Sequence, residues 1–193
     1  MEKHRKDGFC VTARTKNEIY IIAEKVREIF FEGCADLRYL DIVRMLEIKI
    51  PTFFNGFRYE IVEPSELPDR EAEMSPSEYC IRIREDVYLK AVNGDGHCRF
   101  TLAHEIAHFF LHRTQVLAFG KKAEDGNIPI YQNSEWQADV FARSLLAPPS
   151  MTRGLTVDQV ELLFGVSHCV AEIITDTEVH TRKNGFTQMT LNL

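Results

Sequence analysis

The sequence predicts an α+β fold, mainly helical, with a small antiparallel sheet and a helix-turn-helix-like unit at its C-terminal end. Three observations predict it. Apolar residues recur at helical spacing in several segments, the longest at 99–112. Stretches at 58–62 and 79–84 read as short strands, the second alternating cleanly between apolar and polar. Two short helical patterns separated by Gly165 follow near the end of the chain.

The bulk properties set the limits. A chain of 193 residues with 45% hydrophobic content can bury one domain core, alone or with a small helical appendage. The net charge of -6 disfavours a general affinity for nucleic acid or for an anionic membrane. No run of 18 apolar residues occurs, and the charged start Met1-Glu2-Lys3-His4-Arg5-Lys6-Asp7 lacks the apolar core of a signal peptide. The five cysteines, Cys10, Cys34, Cys80, Cys98 and Cys169, are odd in number and form no Cys-x-x-Cys pair. They predict neither a disulfide framework nor a thiolate zinc site. The expected setting is cytoplasmic, with no membrane association.

Taken in order, residues 1–15 are polar and expected to be poorly ordered. Ile19, Ile22, Ala23, Val26, Ile29 and Phe30 give a helix over 17–31, with Gly33 as its stop signal. Leu40, Val43, Leu46 and Ile50 give a second over 37–48, ended by Pro51. Both read as scaffold. After the strand at 58–62, Pro64, Pro68 and Pro76 punctuate a charged loop. Val87 to Val92 reads as a further strand or a short turn, and Asn93-Gly94-Asp95-Gly96 as a turn into the next helix.

That helix, Arg99 to His112, carries His104-Glu105-Ile106-Ala107-His108 and is interrupted by neither Gly nor Pro. His104 and His108 lie four residues apart on one helical face, where both imidazoles can ligate one Zn²⁺. Glu105 is placed to hold a water on the metal rather than to bind the metal itself. The chemistry implied is hydrolysis by a metal-activated water. A polar edge on an ordinary helix would give the same pentapeptide. The strongly apolar surroundings argue against it, because buried histidines need partners.

Residues 114–130, with Gly120, Gly126 and Pro129, form a loop that could rim a substrate cleft. A helix then begins at Ser134, with Gln137 in the capping-box position, and runs to Ala147 before Pro148-Pro149. Glu135 and Asp139 sit four apart on it. A two-histidine zinc site needs a third protein ligand, and a carboxylate completes a known catalytic set, so Glu135 is the expected third ligand. Asp139 is the expected hydrogen-bond acceptor for a ligand imidazole. A second electrophile is usual in such sites, and His97, Arg99, His112 and Tyr131 are the candidates near the motif. The donor set admits Zn²⁺ first and Mn²⁺ as an alternative.

The tail carries a Thr156-x-x-Gln159 capping box, then Leu162, Leu163 and Phe164 up to Gly165, and a second pattern from Ser167 through Val170, Ala171, Ile173 and Ile174. Between Leu155 and His180 there is no Lys or Arg, while Asp158, Glu161, Glu172, Asp176 and Glu178 are acidic. Such a surface repels phosphate, so no direct DNA binding is expected and the unit reads as packing or protein recognition. Phe186 to Leu191 is the candidate closing strand. The expected division is 17–150 for the catalytic domain and 151–193 for the helical unit packed on it.

The residues Arg99 to His108, the Leu111-His112 pair, Glu135-x-x-Ala138-Asp139-x-Phe141-Ala142 and Leu145-Leu146-Ala147-Pro148 together resemble the ImmA/IrrE metallopeptidases. Ile81-x-Ile83 and Phe164-Gly165-Val166-Ser167 are also similar, so the likeness extends over about 17–180. The family often has Gly where Ala107 stands, and alanine is nearly as small. The resemblance implies a zincin-like, gluzincin-type core with His104, His108 and Glu135 as zinc ligands and Glu105 as general acid/base. It also implies the substrate: a helix-turn-helix transcriptional repressor of prophage, mobile-element or stress-response type, inactivated by cleavage. The competing expectation is a non-catalytic regulator on the same fold, a repressor- or antitoxin-type binding module that acts by contact alone.

Overall fold

The computed structural model describes residues 8–31, 38–114 and 128–176. Gly33, Cys34, most of the 114–130 loop and the candidate strand 186–191 lie outside these residues. No helix among them is long and apolar enough to cross a membrane.

Helix α1 is Lys16–Phe31, and it buries Ile19, Ala23, Val26, Phe30 and Phe31 along one side, as the 3.6-residue period requires. The second expected helix is built differently from its sequence reading. α2 (Ile42–Arg44), a π turn (Met45–Lys49) and α3 (Ile50–Phe53) follow without a break, so Pro51 lies inside the helical stretch rather than ending it. Proline lacks an N–H and its ring crowds the carbonyl four residues back. The wider π turn immediately before it makes room, with Ile50 N–H reaching Met45 O.

The sheet has three strands in the order β1-β3-β2, with β1 Arg58–Val62, β2 Ala72–Ser75 and β3 Cys80–Arg84. It is mixed, not antiparallel as expected. β1 and β3 run parallel in the register Arg58↔Cys80 to Val62↔Arg84, and β2 and β3 antiparallel with Ala72↔Ile83. β2 falls in the stretch read as a charged loop. Val87 to Val92 is neither strand nor turn but part of helix α4, Glu85–Val92, with Glu85 and Asp86 in its first turn and Val87 and Ala91 buried four apart.

Helix α5, Gly96–His112, starts at Asp95, whose side chain accepts the Cys98 N–H. It runs through the core with Leu102, Ala103, Ile106, Ala107, Phe109 and Leu111 buried. It packs chiefly on α6, Ser134–Leu146, and α6 packs in turn on α1. Phe109 and Phe110 meet Phe30, Phe54 and Phe57 edge-to-face, with ring centroids 4.8–5.8 Å apart. The N-cap of α6 is Asn133, which accepts from Trp136 N–H, rather than the expected Ser134. Ser134 instead accepts the Phe9 N–H through its hydroxyl. That contact belongs to a further departure. Residues 8–14 are not loose: Cys10 and Asn133 form an antiparallel bridge, and Val11 N–H and Arg14 N–H donate to the carbonyls of Gln132 and Tyr131.

α7 (Pro149–Thr152), α8 (Val157–Phe164) and a last helix α9 at 168–176 complete the described chain. Thr156 and Gln159 form the expected capping box, and Gly165 closes α8 in the left-handed conformation at φ 61°. Val160, Phe164, Val166, Val170, Ala171 and Ile174 join the common core. Arg99 fastens this helix pair to α5. Its guanidinium is buried, donates to the carbonyls of Gly165, Leu40 and Phe164, and lies 3.9 Å from the centroid of the Tyr39 ring. Arg99→Ala should therefore strand buried carbonyls and lower folding stability by about 3 kcal/mol in urea titration. A loss under about 0.5 kcal/mol would show that the helix pair is held by other contacts.

Candidate metal centre

The α5–α6 packing brings the motif histidines against the α6 carboxylates. His104 Nε2 lies 3.1 Å from His108 Nε2 and 3.2 Å from Glu135 Oε2, and His108 Nε2 lies 3.4 Å from Glu135 Oε1. Those side chains are only 12%, 15% and 22% exposed. Two donors of one tetrahedral ion, each at 2.0–2.1 Å, stand about 3.3 Å apart, and each pair in this triangle of residues meets at that spacing, with Glu135 turning a different carboxylate oxygen to each histidine. Two imidazoles and one carboxylate also have the donor chemistry for the ion. The residues fit it.

The far nitrogen of each histidine ring is braced. Asp139 Oδ1 sits 3.0 Å from His104 Nδ1, which directs the other ring nitrogen, Nε2, into the triangle. His108 Nδ1 is held at 3.0 Å by His112 Nδ1, and His112 Nε2 reaches Gln137 Oε1 at 3.2 Å. Burial opposes a charge on His104, yet hydrogen bonds to Asp139 and Glu135 with Glu105 nearby overcome it and push its pKa up to about 10. Burial likewise favours a neutral Glu135, and the two histidines outweigh it, holding the carboxyl well below its usual range. Burial, followed by the charge of His108, pushes His112 down to about 3.

A cleft of about 610 Å³ opens over the triangle. Glu105, His108, His112 and Glu135 form its floor. Ala72, Glu73 and Met74 of β2, with Asp69, Arg70, Pro76, Ser77 and Phe9, form its walls. β2 and the N-terminal Phe9 were not legible as site elements, because both reach the cleft through long-range pairing. Gln137 was read only as a cap.

The four electrophile candidates scatter. Arg99 faces away into the core, its donors occupied by the carbonyls of residues 40, 164 and 165. His97 is exposed and pairs with Glu71 at 3.0 Å, outside the cleft lining. Tyr131 stands edge-on against Trp136 and is also outside the lining. His112 alone touches the cleft, and both of its ring nitrogens are engaged by His108 and Gln137. None of the four presents a ring or guanidinium donor to the cleft in this structure.

The family model of the IrrE N-terminal-like domain, Peptidase_M78, matches residues 66–166. The chain belongs to this family. The matched span of this M78 chain runs from before β2 to just past α8, so it contains the whole triangle, Glu105 and the β2 wall. The M78 assignment supports a metallopeptidase-type function and an α+β zincin-like core. No curated protein matches significantly. Among solved structures, a Mycobacterium tuberculosis transcriptional regulator aligns with 81% of this chain at 15% identity and a TM-score of 0.47. The present chain spans 46% of that regulator's length.

Because a ligand imidazole must be neutral, loading the site displaces the proton that His104 holds below about pH 10. The apparent Zn²⁺ affinity should rise roughly tenfold per pH unit between pH 6 and 8, with about one proton released, by calorimetry in buffers of different ionisation enthalpy. An affinity flat across that range would contradict this account of His104.

Proposed function

We propose that this M78 chain is a zinc-dependent endopeptidase that cleaves a specific protein partner, a helix-turn-helix repressor of phage, mobile-element or stress-response type. The observation that carries the peptidase reading is the closed triangle of His104, His108 and Glu135 at 3.1–3.4 Å under a cleft that Glu105 also lines. In this reading His104, His108 and Glu135 hold the ion, and Asp139 orients His104. Bound Zn²⁺ supplies Lewis acidity, polarising a peptide carbonyl and lowering the pKa of a water toward about 7. Glu105 takes the proton of the attacking water and returns it to the departing amine. The ligand set admits Mn²⁺ as an alternative.

In this reading an extended substrate adds to a strand edge beside the cleft. β3 is central and bonded on both sides, so it offers a substrate no free edge. Among the described strands β2 is the edge beside the cleft, with Ala72, Glu73 and Met74 in the wall. Its outer backbone groups can add a substrate strand along the cleft that Glu105 also lines. The repressor as substrate rests on family resemblance and fits a chain whose α8–α9 surface, bearing Asp158, Glu161, Glu172 and Asp176 and no Lys or Arg, is unsuited to DNA itself. A repressor substrate would go with a cytoplasmic setting for the protein.

Where a neighbouring gene encodes a helix-turn-helix repressor, mixing that repressor with the zinc-loaded protein should yield two fragments by mass spectrometry. Glu105→Gln should retain zinc and lose at least about 10²-fold in cleavage rate. Glu135→Ala should lose the metal, read as zinc content after dialysis. Repressor that stays intact but loses function, with or without chelator, would replace the peptidase reading by the non-catalytic binding module.

A further inference from the structure

The hydrogen bonds around His112 determine more than its position. The Gln137 side-chain nitrogen, Nε2, lies 2.9 Å from the Thr12 carbonyl oxygen and 2.7 Å from that of Tyr131. Both partners are acceptors only, so the side-chain amide has one orientation: NH₂ toward the two carbonyls and Oε1 toward His112. Oε1 has no hydrogen, so the proton of that contact belongs to His112 Nε2. A neutral imidazole protonated on Nε2 carries its lone pair on Nδ1. The only proton for the 3.0 Å contact between the two Nδ1 atoms then belongs to His108. His108 protonated on Nδ1 carries its lone pair on Nε2, the atom 3.1 Å from His104 Nε2 and 3.4 Å from Glu135 Oε1.

We propose that Gln137 is a positioning residue of the metal centre, which through His112 fixes the tautomer of His108 so that the Nε2 lone pair faces the ligand triangle. This rests on His108 being a ligand. His104 is oriented by a carboxylate, the common arrangement, whereas His108 is oriented by a neutral relay. The relay ends on the backbone of two segments that pair with each other. One is 8–14, tied to 131–134 by the Cys10–Asn133 bridge and by Ser134 N–H to Phe9 O at 3.1 Å. The other is the 3₁₀ turn Ile130–Gln132. The N-terminal segment therefore belongs to the site although it contributes no ligand. Reversing the amide would put NH₂ against His112 Nε2, force its proton onto Nδ1, and leave His108 protonated on the nitrogen that must bind.

The test reads ring nitrogens, not turnover. Long-range ¹H–¹⁵N correlation spectra of the full chain, metal-free and zinc-loaded, should show His112 protonated on Nε2 and His108 on Nδ1. Gln137→Met removes the amide at similar volume. It should mix the His112 tautomers and weaken Zn²⁺ binding about 10–100-fold in chelator competition. A merely structural role would lower the melting temperature of that variant and leave both tautomers and the affinity of the folded protein unchanged, which would overturn the proposal. So would His112 carrying its proton on Nδ1 in the unmutated protein, a result that needs no variant to fold. If the unmutated protein bound no zinc, the metal assignment would fail separately, and the metal-free spectrum would still decide the relay.

Discussion

The close packing of α5 on α6 is the constraint on which the rest depends. The two helices come from segments some thirty residues apart, and neither holds a complete site. α5 carries Ala103 and Ala107 and α6 carries Ala138 and Ala142, all fully buried, which lets two backbones approach closely. At that distance the four-residue spacing of His104 and His108 meets the four-residue spacing of Glu135 and Asp139. Each carboxylate then lands on a histidine: Asp139 behind His104, and Glu135 across both Nε2 atoms. Without the metal, three polar groups this close in a buried setting stabilise one another through a proton held on His104. On the proposed reading a bound ion would displace that proton, and the same contacts would then hold and orient its ligands.

Around this pair the fold supplies rigidity on one side and access on the other. The phenylalanine cluster and α1 back the two helices, and the sheet places an edge strand over the exposed end of the triangle. Arg99 lies one turn before the motif but does a different job, anchoring α8 and the 38–41 segment by their carbonyls. A buried guanidinium without a carboxylate partner is costly, and here three carbonyls and the Tyr39 face offset that cost.

Much of this was legible in the sequence where the signal is local. The motif helix, the α6 pattern, the Thr156 capping box and the β1 and β3 strands all follow from spacing within a dozen residues. The approach of Glu135 and Asp139 to the two histidines was also legible, because a two-histidine set calls for a third donor and a brace. What escaped depends on partners far along the chain. β2 exists because β3 pairs with it, not because Ala72 to Ser75 has a strong strand composition. The parallel β1–β3 pairing is a topological fact with no local mark. Val87-Tyr88-Leu89-Lys90-Ala91-Val92 suits strand or helix by period, and the acidic first turn at Glu85 and Asp86 was the overlooked cue. Ser134 looked like a cap because Asn133 beside it has the same chemistry. His112 looked like an electrophile because sequence shows its spacing from His108 but not Gln137 on the other side of its ring.

The central claim is that two imidazoles and one carboxylate from two helices hold a single divalent ion. The zinc K-edge X-ray absorption spectrum of the loaded protein tests it most directly. The account predicts a light-atom first shell at about 2.0–2.1 Å with the outer-shell scattering of two imidazole rings. A shell at about 2.3 Å from sulfur, or a spectrum without imidazole scattering, would contradict it.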